Sequence, residues 1–229
     1  MQIIFLHGMA LDGSIWRRQL DAFPRALAPD IPGFGSRQLE GQADLGELEP
    51  LVNGAHVVGH SFGAAVAIDL ALRHRSSIRS LVLVNPLLLR RATNLAAWAT
   101  CVERARAGDL EGARAAWLAC PLFAGARAQA REAMAAYRGG HWTGAVQTAF
   151  STPDPAPELE RLTLPVLVIT ATRDQPAFQA MAREYHQALQ GSRLVELDAG
   201  HMSPCECPAE FNAALRTFFE EQGLSSASS

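Results

Sequence analysis

Short apolar runs alternate along this chain with segments of helical periodicity, the pattern of a mostly or wholly parallel sheet covered by helices on both faces. Six runs read as strands: Gln2 to Leu6, Ala26 to Ile31, His56 to Gly59, Ser80 to Val84, Pro165 to Thr170 and Arg193 to Leu197. Helices are predicted over Ser14 to Ala22, Phe62 to His74, Ala177 to Leu189 and Pro208 to Glu221, each after a strand. The fold class expected is therefore α/β, with a sheet of about six strands.

The stretch between the fourth and fifth strands is too long for one crossover. Amphipathic segments at Thr93 to Ala107, Leu110 to Leu118, Ala126 to Tyr137 and Trp142 to Phe150 are broken by Gly108, Pro121 and Gly139-Gly140. They predict a helical lid inserted at 87–157, returned to the core by a stiff connector containing Pro153, Pro155 and Pro157. The core is then 1–86 with 158–224, and 225–229 is a disordered polar tail.

Composition narrows the function classes. At 229 residues and 48% hydrophobic content the chain can bury one sizeable core. A net charge of -3 argues against a general nucleic-acid or membrane-surface binder, both of which carry a basic excess. No run of about 18 apolar residues occurs, and Met1 to Leu6 leads into a His-Gly motif instead of a small-residue cleavage site. Cys101, Cys120, Cys205 and Cys207 are too few for a disulfide scaffold and read as free thiols. A cytoplasmic location is expected. His201 with Cys205 and Cys207 lacks the paired spacing of a structural zinc site, so neither metal nor cofactor is expected.

The chemistry concentrates at Gly59-His60-Ser61-Phe62-Gly63, a G-x-S-x-G pentapeptide between an apolar strand and an Ala-rich helix. A serine hydroxyl is a weak nucleophile at neutral pH, and a sharp strand-to-helix turn is one way to hold it beside a base. Each partner it needs has a candidate at a strand end. His201, in Asp198-Ala199-Gly200-His201, is the candidate base, and Asp174, closing Ile169 to Asp174, is the candidate orienting acid. Asp198 is the fallback acid, three residues before the histidine. The region after the fourth strand, Asn85-Pro86, offers no rival. Backbone N–H groups of Phe62 and Met9 are the expected oxyanion donors. His7 and His60 read as packing or hydrogen-bonding residues.

With these pieces the chain resembles the α/β-hydrolase superfamily over nearly its whole length. The matching elements are His7-Gly8, Trp16, Asp30-Ile31-Pro32-Gly33-Phe34-Gly35-Ser36, the Ser61 turn, Asp174, and Gly200-His201 followed by Pro204, Glu206, Pro208 and Phe211. The resemblance implies hydrolysis of an ester or related acyl compound through an acyl-enzyme, with Ser61 as nucleophile, His201 as base and Asp174 as orienting acid. Members usually carry two more strands before the His-Gly motif. The resemblance implies that those two are missing here, so Ala26 to Ile31 is expected at a sheet edge, where Pro29 is tolerated.

Three functions compete on this framework. The first is a cofactor-independent serine esterase acting on a small or medium carboxylic ester, thioester or lactone. The second is non-hydrolytic chemistry on the same scaffold, such as carbon–carbon cleavage, elimination or perhydrolysis. The third is a catalytically idle ligand receptor. Trp98, Trp117, Phe123 and Trp142 in the lid are candidates to line the acyl pocket. Lid arginines, Arg127, Arg131 and Arg138 among them, are either solvated helix faces or a site for an anionic or carrier-linked acyl substrate.

Overall fold

The computed structural model describes residues 2–74, 77–88, 96–151 and 155–222. The tail at 225–229 lies outside the described residues, as do Arg90, Arg91, Thr93 and Pro153. Five strands form the central sheet, all parallel, in the order β1 (Ile3–Leu6), β3 (His56–His60), β4 (Ser80–Val84), β6 (Val166–Ala171) and β7 (Arg193–Leu197). The strands β3 and β4 are buried at every position, because helices cover both faces and β-branched residues fill the pleat.

The expected sixth strand is reduced. Only Leu27 bridges to Ile4 at the outer edge of β1, with Leu27 N–H donating to the Ile3 carbonyl at 2.9 Å and Phe5 N–H to the Leu27 carbonyl at 2.8 Å. The segment sits at the edge the sequence assigns it. Pro29 and Pro32 lack the N–H groups that would extend the ladder, so the chain leaves the sheet after one bridge.

Between β4 and β6 lie the helices Ala96–Arg106, Leu110–Leu118 and Arg127–Ala133, then a single turn at Gly140–Thr143. The helix expected over Trp142 to Phe150 is a correction. After that turn the chain forms strand β5 (Val146–Ala149), which pairs in parallel with β2 (Gly41–Asp44) in a second, two-stranded sheet. The β-branched Val146 and Thr148 suit the pleat, and their partner strand arrives from more than a hundred residues upstream, which periodicity within one window cannot register. The expected proline connector contains a one-turn helix, Ala156–Leu159.

The far end of the insertion is tied to the helix that follows Ser61. Asp69 accepts from Ser151 N–H at 2.6 Å and from its hydroxyl at 2.5 Å, and pairs with Arg73 Nε at 2.8 Å. Arg73 also donates to the Ala149 carbonyl at 3.0 Å. Phe34, from the loop after Leu27, stacks on His141 at 4.3 Å and on Tyr137 at 5.4 Å, so aromatic packing fastens the insertion to the core from the other side.

Candidate active site

Ser61 stands between β3 and the helix Phe62–Arg73 with φ 53° and ψ -112°. That backbone is costly for any residue with a Cβ, and it turns the side chain out of the sheet edge. Surrounding contacts hold it there: Ser61 N–H donates to the Val84 carbonyl at 2.8 Å, and its carbonyl accepts from Ala64 at 3.0 Å and Leu87 at 3.2 Å. The glycines of the pentapeptide are required by space. A Cβ on Gly63 would fall 2.3 Å from the Leu6 carbonyl oxygen, and one on Gly59 2.3 Å from the Gly63 carbonyl oxygen. As the first helical residue, Phe62 has an N–H with no acceptor inside the helix.

Asp174 and His201 come together although they sit on loops after different strands. His201 Nδ1 lies 2.7 Å from Asp174 Oδ2, and both side chains are almost wholly buried. The other carboxylate oxygen accepts from Gln175 N–H at 2.7 Å. With a carboxylate oxygen accepting, Nδ1 is the donor of this bond, and Nε2 is the ring nitrogen left for another partner. Phe178 packs edge-on against the imidazole at 4.4 Å. Asp198 is turned away: its side chain is 85% exposed and pairs with Arg173.

Ser61 and His201 line one small cavity of about 20 Å³ together with Gly8, Met9, His60 and Leu11. Of the four aromatics expected to line an acyl pocket, Trp117 and Phe123 reach this cavity, joined by Leu122. Trp142 is instead buried against Tyr137 at 4.8 Å, and Trp98 packs edge-on against Trp117 at 5.7 Å, so neither lines it. The arginines have different settings. Arg114, Arg127 and Arg131 line a separate groove of about 430 Å³ that shares no lining residue with the cavity at Ser61.

The neighbouring histidines are buried and hydrogen-bonded. His7 contacts the Gly8 carbonyl through Nδ1 and accepts from Ile31 N–H through Nε2, both at 2.9 Å, which fixes a neutral tautomer; burial lowers its pKa accordingly. His60 Nε2 donates to the His201 carbonyl at 2.9 Å, and burial, then the nearby His201, push its pKa down to about 3. Asp30 organises the loop before Phe34. Its burial opposes ionisation, but hydrogen bonds from Ser36 and Gly13 outweigh that and hold its pKa below the usual carboxylate value.

Two residues near the site carry no role that the sequence alone discloses. Asn85, with φ 42°, donates through Nδ2 to the His201 carbonyl at 2.7 Å and to Ser203 Oγ at 3.2 Å. Glu206, in the sequence only one member of a motif, accepts from the backbone around His201. Burial first, then nearby carboxylates, raise the Cys205 and Cys207 thiols to about 12 and about 11. Their sulfurs lie against the Ile15 and Ser203 carbonyls. Among the described residues, no group of three His, Cys, Asp or Glu side chains converges on a metal-sized site.

A parallel sheet with helices on both faces, a strained serine at the strand-to-helix turn after β3, and an Asp–His pair at the ends of β6 and β7 defines the α/β-hydrolase fold. The family model for the alpha/beta hydrolase family matches residues 3–214, and the chain belongs to that enzyme family. Its relatives include a 2-succinyl-6-hydroxy-2,4-cyclohexadiene-1-carboxylate synthase from Enterobacter sp. (strain 638), 30% identical, with 93% of this chain and 89% of that protein aligned. The same-named protein of Klebsiella pneumoniae subsp. pneumoniae is 32% identical over 160 residues, a match that spans 59% of this chain and 60% of that protein's length. Among solved structures, the enol-lactonase from Burkholderia xenovorans LB400 superposes with a TM-score of 0.79 at 25% identity, covering 96% of this chain and 91% of that one. A thermophilic esterase from Thermogutta terrifontis shares the fold, with a TM-score of 0.81 at 21% identity, covering 98% of this chain and 91% of that one. No helix among the described residues is long and apolar enough to cross a membrane.

Proposed function

We propose that the protein is a cofactor-independent serine hydrolase that cleaves a small or medium carboxylic ester, thioester or lactone through an acyl-enzyme. One observation carries this reading: the 2.7 Å contact between Asp174 Oδ2 and His201 Nδ1, with that imidazole and Ser61 opening onto one cavity. Ser61 Oγ attacks the carbonyl carbon as His201 Nε2 takes its proton, and Asp174 stabilises the resulting imidazolium. The oxyanion is received by the N–H groups of Phe62 and Met9. His201 then protonates the leaving alcohol or thiol, or the ring oxygen of a lactone, and activates the water that releases the acid.

The cavity holds about one water, so an ester enters only when the insertion shifts Trp117, Leu122 and Phe123. That gives the insertion the role of a lid. The separate groove at Arg127 and Arg131 is where an anionic portion of the substrate remote from the reacting carbonyl, or the carrier of a carrier-linked acyl group, would be recognised. Arg131→Glu is then expected to raise KM for an acidic ester and leave a neutral p-nitrophenyl ester unchanged, with added salt mimicking the substitution.

The relative named a synthase, aligned over 93% of this chain, favours a second reading in which the same triad performs non-hydrolytic chemistry. A panel of p-nitrophenyl esters of rising chain length, with lactones and thioesters, tests the first. Turnover that falls at least about a thousandfold in a folded Ser61→Ala variant supports it. No turnover of any ester by the wild type, or full turnover by the variant, removes it.

A further inference from the structure

The backbone around His201 is gripped from two sides, and one of those grips is a carboxylate that the proposed chemistry does not use. Glu206 Oε2 accepts from Gly200 N–H at 2.8 Å, and Oε1 accepts from Met202 N–H at 3.2 Å. These are the two peptide N–H groups that flank His201. The Glu206 side chain is only 8% exposed, and the Arg173 guanidinium, 4.0 Å away, already pairs with Asp198. On the opposite side, the His201 carbonyl accepts from both Asn85 and His60. A buried carboxylate shared by two backbone donors is a strong restraint, because losing it leaves both N–H groups unsatisfied.

The insertion closes around the same carboxylate. A Cβ added to Gly125 would fall 2.2 Å from Glu206 Oε2 and 2.3 Å from Cδ. The conflict is with the end of the side chain, so a larger residue at 125 would displace the carboxylate from its two donors.

We propose that Glu206 is a positioning residue that sets the orientation of the His201 imidazole by holding the Gly200 and Met202 amides, and that Gly125 leaves the room this requires. The proposal rests on His201 acting as the base. Its geometry can also be read without turnover, from the exchange-protected Nδ1–H proton of the His201–Asp174 bond in proton NMR, assigned by its loss in His201→Ala. In Glu206→Gln, kcat for a p-nitrophenyl ester per site titrated with a fluorophosphonate is expected to fall about tenfold to a hundredfold, as for a small misplacement of a catalytic group, with KM within about twofold. The Nδ1–H resonance shifts or broadens in the same variant. A merely structural role would lower the fraction of titratable enzyme and leave both of these readouts unchanged. Should Glu206→Gln fail to fold, Gly125→Ala is expected to give the same two changes. A wild-type kcat per titrated site, or an unmoved resonance, in a folded variant overturns the proposal. If the enzyme proves unreactive to esters and fluorophosphonate, the catalytic reading fails by itself and the resonance alone decides the role of Glu206.

Discussion

The strain at Ser61 is maintained by residues with little freedom to change. A methyl group on Gly63 would meet two backbone oxygens, Leu6 at 2.3 Å and His7 at 2.6 Å, and neither belongs to a side chain that can swing away. Gly63→Ala is therefore expected to destabilise the fold by about 3 kcal/mol or more, read as a loss of urea midpoint at unchanged slope. Asp174 and Asp198 provide a sharper residue-scale comparison. Asp174 is buried against His201, whereas Asp198 is exposed and pairs with Arg173. Asp174→Asn is expected to lower kcat by about ten- to ten-thousandfold, because the imidazole keeps its place but loses its charge partner and preferred tautomer, while Asp198→Asn leaves kcat within about twofold. The reverse ranking in steady-state assays would reassign the acid.

Among the elements, the strands and helices with a clear local period were the legible ones. β4 and β7 and the helix Pro208–Glu221 match their sequence readings residue for residue, since short apolar runs mark the strands locally and helical patterning after a proline marks the helix. The Ser61 turn was equally legible, because its glycines answer a steric demand. Trp142 and Trp98 illustrate what was not: an aromatic side chain in an amphipathic helix has the same sequence signature whether it packs on Tyr137 or faces substrate. The β2–β5 pair escaped for a related reason, since neither strand has four strongly apolar residues and each is specified by the other. The roles of Asn85 and Glu206 depend on contacts with a backbone more than a hundred residues away in one case and within one loop in the other, and neither leaves a periodic trace. At this scale the tether at Asp69 is testable. Asp69→Asn weakens the charge-assisted bonds to Ser151 and Arg73 and is expected to cost about 1 to 3 kcal/mol, with hydrogen exchange rising first in Val146 to Ser151.

Across the whole molecule, three histidines shielded from water contribute to the response to acid. His56 and His141 are pushed down to about 4, and His60 to about 3, in each case chiefly by burial. In the unfolded chain these groups take up protons near pH 6.5, while the native state does not. The unfolded state then binds more protons, so stability is full above about pH 6.5 and falls as pH drops toward 4, by up to about 1.4 kcal/mol per pH unit for each histidine. Urea midpoints measured at pH 7.5, 6 and 5 are expected to decline progressively; a flat series would rule this account out. Asp30, held below its usual range, adds its own loss only at lower pH.

The pairing of Gly41–Asp44 with Val146–Ala149 also bears on how this molecule can be re-engineered. Substrate range in such scaffolds invites cassette exchange, in which the whole stretch from β4 to β6 is replaced by that of another protein. Here the cassette is not contiguous: its last strand finds its ladder partner, among the described residues, in the segment before β3. A chimera that swaps 87–157 alone strands one half of a ladder, and the transplant is expected to express as aggregated or protease-sensitive material. Carrying residues 41–44 along with it restores the seam, and limited proteolysis of the two chimeras separates these outcomes.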